Sequence, residues 1–201
     1  MSKTVRPRRS VLYMPGANTR ALEKARSLPA DALVFDLEDA VAPDAKEAAR
    51  TNVVLAAESK AYGKREIAIR CNGLATEWGA ADIEAIATSG ADAILVPKVE
   101  SAAEVTHVVS LLDTAGAPPT LAVWAMIETP KAILRAEEIA GSHPRLALFV
   151  MGTNDLVKDM RVLYEWAHTL WKVYKPSDPW GGDQTVCKLS KVCVQIGRAH
   201  V

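Results

Sequence analysis

Six short apolar runs, each followed by an alanine-rich amphipathic stretch, restrict this chain to a small set of folds. The runs fall at 10–14, 32–37, 66–71, 92–97, 120–127 and 145–151, and their starts recur about every 22 to 34 residues. They are apolar throughout rather than alternating, the pattern of strands buried on both faces of a parallel sheet. Between them the spacing predicts helices over 19–28, 45–62, 80–88, 102–112 and 130–139. Local punctuation agrees. Asn18 and Asp44 stand where N-caps belong, and Thr129-Pro130 sets a cap before a proline at the first helical position. Gly63, Gly90, Gly116 and Gly141 follow predicted helices, as left-handed C-caps would. A doubly wound sheet and a (β/α)8 barrel both satisfy this pattern. Six β units are complete by Met151; two more would take roughly 60 further residues at this spacing, because a barrel needs eight.

Residues 162–201 read as a different kind of sequence. They hold three of the five tryptophans and two of the three cysteines, with a Pro/Gly/Asp cluster at 175–183 and no sustained apolar period. The last six residues, IGRAHV, resemble one reading frame of a common sequencing-adapter sequence. The expected organisation is therefore an incomplete barrel domain over 1–161 and a non-matching tail over 162–201, produced by read-through or a frame shift.

Composition excludes several classes of function. The 201 residues are 49% hydrophobic and 24% charged, with 24 basic and 24 acidic side chains. That balance offers nothing to a nucleic-acid backbone. No apolar stretch approaches the roughly 20 residues of a membrane span. Cys71, Cys187 and Cys193 have neither metal-ligand spacing nor an even count, which suits a reducing, cytoplasmic setting.

The chemistry gathers at strand ends. The runs over 124–129 (WAMIET) and 148–156 (LFVMGTNDL) end at Glu128 and Asp155. In a parallel sheet both fall at the C-terminal edge, where such folds place their active sites, and paired carboxylates there suit a hard cation such as Mg2+. Taken singly, one could cap a helix and the other could be a solvated loop residue. The second strand ends in Asp36-Leu37-Glu38-Asp39, three acids in four residues, whose Glu38 and Asp39 could serve metal-bound water, a basic partner or a proton. Arg70 ends the third strand, suited either to gripping a substrate carboxylate or to pairing with those acids. Lys98 ends the fourth, a weak Schiff-base candidate. The first strand runs into Pro15-Gly16-Ala17-Asn18 and a helix carrying Arg20 and Lys24, where an anion could be received. Together these groups fit a substrate whose carboxylate and keto oxygen chelate Mg2+, with the metal acting as Lewis acid.

The blocks RSVLYMPGANTRALEKA, ALVFDLEDAVAPDAKEAAR, IAIRCNG, DAILVPKVES, MIETPKAI and MGTNDL resemble the HpcH/HpaI aldolase/citrate lyase family, in its citrate lyase β-subunit-like CoA ester lyase branch. The resemblance covers about residues 8–161. It implies a TIM barrel, homotrimeric at full length. The implied activity is cleavage or formation of a short 3-hydroxyacyl-CoA such as citryl-, malyl- or citramalyl-CoA, giving acetyl-CoA and a 2-oxo acid. By the same resemblance Glu128 and Asp155 match the metal ligands, Arg70 the arginine that binds the oxo acid's carboxylate, and Glu38 and Asp39 the acids near the metal's water shell. Arg20 and Lys24 fall in the region that contacts the CoA nucleotide. An acyl-carrier protein could take the place of CoA. The alternatives are a metal-dependent aldolase acting on free hydroxy-oxo acids, and a non-catalytic fragment or subunit.

Overall fold

The computed structural model describes residues 6 and 8–160, together with the backbone of Cys193–Val194. Six strands run parallel in strict chain order: β1 (Val11–Pro15), β2 (Ala32–Asp36), β3 (Glu66–Arg70), β4 (Ala93–Val96), β5 (Ala122–Ile127) and β6 (Leu146–Met151). A two-residue β7, Cys193–Val194, pairs antiparallel with β6. The rest of 162–201, expected to differ in kind, lies outside the described residues.

Helices α1 (Thr19–Ala25), α2 (Lys46–Glu58), α3 (Gly79–Thr88), α4 (Ala102–Thr114), α5 (Pro130–Leu134) and α6 (Ala136–Ala140) fill the crossovers, and α7 (Thr153–Asp159) follows β6. The strands alternate between two cores. Leu33, Phe35, Ile67, Ile69, Ile94, Val96, Val123, Ala125 and Phe149 pack with buried helix residues such as Val53, Ile86 and Val108. Ala32, Val34, Ala68, Ala93, Leu95, Trp124, Met126, Leu148 and Val150 form a second cluster made of strand residues alone. Helices on one face only, with consecutive strands always adjacent, describe a barrel-type sheet; a doubly wound sheet would reverse its order and carry helices on both faces. The fold is of the TIM-barrel type, and the sheet is unclosed among the described residues. The inner face mixes small residues, Ala32, Ala68 and Ala93, with the large Trp124.

Caps explain most boundaries. Asn18 accepts from the Ala21 amide, Ser101 from Glu104 and Thr129 from Ala132, each satisfying an amide that the first helical turn leaves open. Gly63, Gly90 and Gly116 adopt φ of 64°, 73° and 79°, the left-handed geometry expected of them. Other expectations are corrected. Asp44 does not cap α2, because Pro43–Ala45 forms a 3-10 turn leading into that helix. Gly141 keeps a helical φ of −82°. The single helix expected over 130–139 is broken at Arg135, whose φ of −111° and ψ of 12° leave the helical range.

Candidate active site

The inner-face parity of the strands carries on past their ends. Asp36 and Arg70, which end β2 and β3, and Glu128 and Gly152, just past β5 and β6, continue the positions of the strand-only cluster at the C-terminal edge, with Tyr13 of β1 on the same face. Asp36 and Arg70 are register partners across β2 and β3, so their side chains stand side by side. The Arg70 guanidinium gives Nε to Asp36 Oδ1 at 2.7 Å and Nη2 to Asp36 Oδ2 at 2.5 Å. Both residues are buried. Arg70 Nη1 stands 2.7 Å from Glu38 Oε2 and 3.4 Å from Asp39 Oδ2, and the Tyr13 ring lies beneath the guanidinium. Burial works against the Arg70 charge, but hydrogen bonding and attraction from Asp36 outweigh it and raise the pKa. Of the two readings of Arg70, the pairing with neighbouring acids is the one this geometry shows.

Glu128 follows β5 and is 1% exposed. Its Oε1 accepts the Lys98 backbone amide at 2.7 Å. Lys98 holds a φ of 51°, unusual for a residue with a side chain, while its amine side chain is exposed. What Lys98 brings to the site is thus its peptide N–H, and nothing in this geometry supports a Schiff-base amine. A Cβ built on Gly152 would stand 2.5 Å from Glu128 Oε2, so only glycine leaves room for that carboxylate. Asp155 sits in the first turn of α7 rather than in a loop, a position where a carboxylate favours the helix dipole. The Glu128 carboxyl is pushed up to about 7, chiefly by burial and further by nearby Asp155; the Lys98 amide opposes the shift.

Glu38 is also pushed up to about 7, by burial first; Arg70 opposes this, while Asp39, Glu128 and Asp36 add to it. Its Oε2 is close to Arg70 but off the hydrogen-bonding direction, and it is left without a hydrogen-bond partner. Asp39 is exposed, with a side chain 67% accessible.

Behind these acids, the buried Lys46 ammonium donates to the carbonyls of Leu37 and Glu38 and to Asn72 Oδ1, each at 2.7 Å. Burial lowers its pKa, while Asp36 and Asp82 lead the attractions that resist the fall. Asn72 is fixed in turn by Asp82, which also takes Arg50 Nε at 2.7 Å. This network ties the loop after β2 to the loop after β3. A cavity of about 660 Å3 opens beside it, lined in part by Glu38, Asp39, Lys46, Asn72, Trp78 and Lys98. Arg20 and Lys24 are exposed on α1 and are not among its lining residues.

The residues present fit a Mg2+ ion. Glu128 is buried and raised in pKa with Asp155 near enough to add to the shift, and Glu38 Oε2, beyond its ion pair with Arg70, has no hydrogen-bond partner. Among the described residues no group of three or more His, Cys, Asp or Glu side chains is placed to hold a metal ion by itself. Mg2+ is commonly held by one or two carboxylates, with water and substrate oxygens filling the rest.

Comparison with known proteins agrees with the fold. A family model described as HpcH/HpaI aldolase/citrate lyase matches residues 9–180. The chain is 52% identical over 164 residues to a (3S)-malyl-CoA thioesterase of Cereibacter sphaeroides strain KD131, covering 82% of this chain and 55% of that protein. It is 38% identical to citrate lyase subunit beta of Escherichia coli strain K12, covering 79% of this chain and 54% of the relative. A solved citrate lyase beta subunit from M. tuberculosis, complexed with oxaloacetate and magnesium, superposes with a TM-score of 0.63 at 27% identity; the match covers 78% of this chain and 63% of that one. The chain spans about half the length of the curated relatives it matches.

Proposed function

The chain belongs to the HpcH/HpaI aldolase/citrate lyase family, and from that premise we propose that it carries the metal-binding half of a Mg2+-dependent acyl-CoA lyase site. The observation that bears most weight is the buried Glu128 carboxylate, held by the Lys98 amide, cradled by Gly152 and neighboured by Asp155. Glu128 and Asp155 would hold Mg2+, which when bound supplies Lewis-acid polarisation of oxo-acid oxygens. Arg70 anchors the acid's carboxylate through donors that Asp36 leaves available. Glu38, with a carboxyl raised to about 7, can hold or release a proton near neutrality beside the reacting oxygen, and Asp39 adds negative charge at the mouth of the site.

In the cleavage direction the bond between C2 and C3 of a short 3-hydroxyacyl-CoA breaks and the hydroxyl proton is lost. The carbonyl of a 2-oxo acid forms from the hydroxyl carbon. The electron pair left on C2 takes up a proton to give acetyl-CoA. CoA is part of the substrate, and Arg20 and Lys24 on α1 offer its nucleotide two cations. Homotrimer formation, an acyl-carrier protein in place of CoA, and a cytoplasmic setting belong to the same proposal. No helix among the described residues is long and apolar enough to cross a membrane.

The malyl-CoA thioesterase relative supports a second reading, in which water attacks the thioester carbonyl and releases CoA thiol and the free hydroxy acid. One assay separates the two. Malyl-CoA with Mg2+ would yield glyoxylate and acetyl-CoA by cleavage of the carbon–carbon bond, and malate and a free thiol by hydrolysis. We expect glyoxylate without stoichiometric thiol, and loss of that product in Glu128→Ala. Undiminished turnover by Glu128→Ala would overturn the proposal.

A further inference from the structure

Asp36 does more than neutralise a buried arginine. Its Oδ1 accepts both Arg70 Nε at 2.7 Å and the Glu38 backbone amide at 2.9 Å, while Oδ2 takes Arg70 Nη2. One carboxylate thereby ties together the arginine and the acidic loop at the metal seat. The guanidinium carries five N–H donors in a fixed plane. Asp36 uses the edge formed by Nε and Nη2, and the Tyr13 ring lies against one face. The donors that Asp36 does not use are the outer N–H of Nη2 and those of Nη1, whose bonds to Asp39 Oδ2 at 3.4 Å and Met126 Sδ at 3.8 Å are long and open to exchange for a ligand; Nη1 also lies 2.7 Å from Glu38 Oε2. A buried ion pair is a weak source of stability, since apolar residues of equal volume do as well or better. Its value here lies in geometry: a long, rotamer-rich side chain is fixed before any ligand arrives, which removes an ordering cost from binding.

We infer that Asp36 is a positioning residue, which clamps one edge of Arg70 so that the opposite Nη donors face the metal seat and receive the carboxylate of a 2-oxo acid. This rests on the functional reading above. The test is Mg2+-dependent binding of pyruvate, measured by calorimetry on the wild type, Asp36→Asn, Arg70→Met and the double variant. Asp36→Asn should weaken pyruvate binding about tenfold or more, the scale on which outer-shell partners act. Adding it to Arg70→Met should change nothing further, because the effect runs through Arg70. Asp36→Glu, which keeps the charge on a longer arm, should also weaken pyruvate. A role in stability alone would lower the melting temperature and leave pyruvate affinity intact, and that result would overturn the inference.

The wild type supplies an independent reading. The Arg70 Nε–H resonance should resist solvent exchange before pyruvate is added and shift little afterwards. A rapidly exchanging Nε–H that becomes protected only with ligand would also overturn the inference. No Mg2+-dependent pyruvate binding by the wild type would overturn the functional reading and this inference together.

Discussion

Replacing Gly152 with alanine tests the Glu128 cradle with a single methyl group. The backbone there has φ −89° and ψ 74°, so alanine meets no conformational penalty of the left-handed kind. The clash is steric. The new Cβ would stand 2.5 Å from both Cβ and Oε2 of Glu128, whereas carbon atoms rest about 3.5–4.0 Å apart. Something must move by about 1 Å. Glu128 Oε1 is held by the Lys98 amide at 2.7 Å, and the Gly152 amide is bonded to the Ile127 carbonyl at 3.1 Å, so neither side yields freely. Overpacking of this kind costs about 1–3 kcal/mol, readable as a lower urea midpoint in metal-free protein. Disturbing what positions a metal ligand costs about 10–100-fold in metal affinity. At a Mg2+ concentration a hundred times the wild-type Kd, binding adds about 2.7 kcal/mol of stability; a site a hundredfold weaker adds about 0.4 kcal/mol. The Mg2+-induced rise in melting temperature should therefore shrink markedly. Gly73→Ala is the control, because a Cβ there meets only Thr76 Cγ2 at 3.9 Å. Wild-type stability and a wild-type Mg2+ response in Gly152→Ala would refute the reasoning.

Further outcomes follow from other parts of the site. Glu38 and Glu128 are pushed up to about 7 from an ordinary 4.5, so between those pH values the metal-free folded chain binds more protons than the unfolded one. Their contribution to stability is fully present below about 4.5 and is lost as pH rises through about 7. Mg2+ must displace the Glu128 proton, so its stabilising effect should grow over the same interval; urea midpoints with and without Mg2+ that run parallel across it would contradict this. Lys98→Gly relieves a left-handed φ of 51° while keeping the N–H to Glu128. It should gain about 1 kcal/mol in urea unfolding and keep its Mg2+ response; a lost response would return the Lys98 amine to the site. Ser101→Ala removes the cap on α4 and should cost about 1 kcal/mol in urea unfolding, with an unchanged midpoint counting against the cap.

The strands were legible because residues such as Leu33, Phe35 and Ile94 are apolar on a face covered by helices while Val34 and Leu95 are apolar on the inner face. Both faces are buried, so period alone could not separate a barrel from a doubly wound sheet; the family resemblance pointed to the barrel, and the strand order agrees with it. Glu128, Asp155, Glu38 and Arg70 stood out because a charge beside an apolar run is costly without a purpose. Arg20 and Lys24 could be located on α1, but spacing carries no information on what approaches them. Asp36 was visible as one of three acids that Arg70 could pair with; that it is the one gripped through two bonds was not, since that depends on the register of β2 against β3. Lys46 looked like any helix-start lysine; its burial depends on loops that converge only in three dimensions. Gly152 gave one cue, a glycine between an apolar strand and an acid-bearing helix start, but its reason lies on Glu128 across the neighbouring strand. The break at Arg135 left no mark in the apolar pattern.

Mn2+ titration followed by electron paramagnetic resonance tests the central claim most directly, because Mn2+ replaces Mg2+ among oxygen ligands and reports its own coordination. The account predicts one site in the wild type, lost in both Glu128→Gln and Asp155→Asn, whose spectrum changes when oxaloacetate or pyruvate is added. Equal Mn2+ binding by the wild type and both variants, with a spectrum indifferent to either acid, would contradict it.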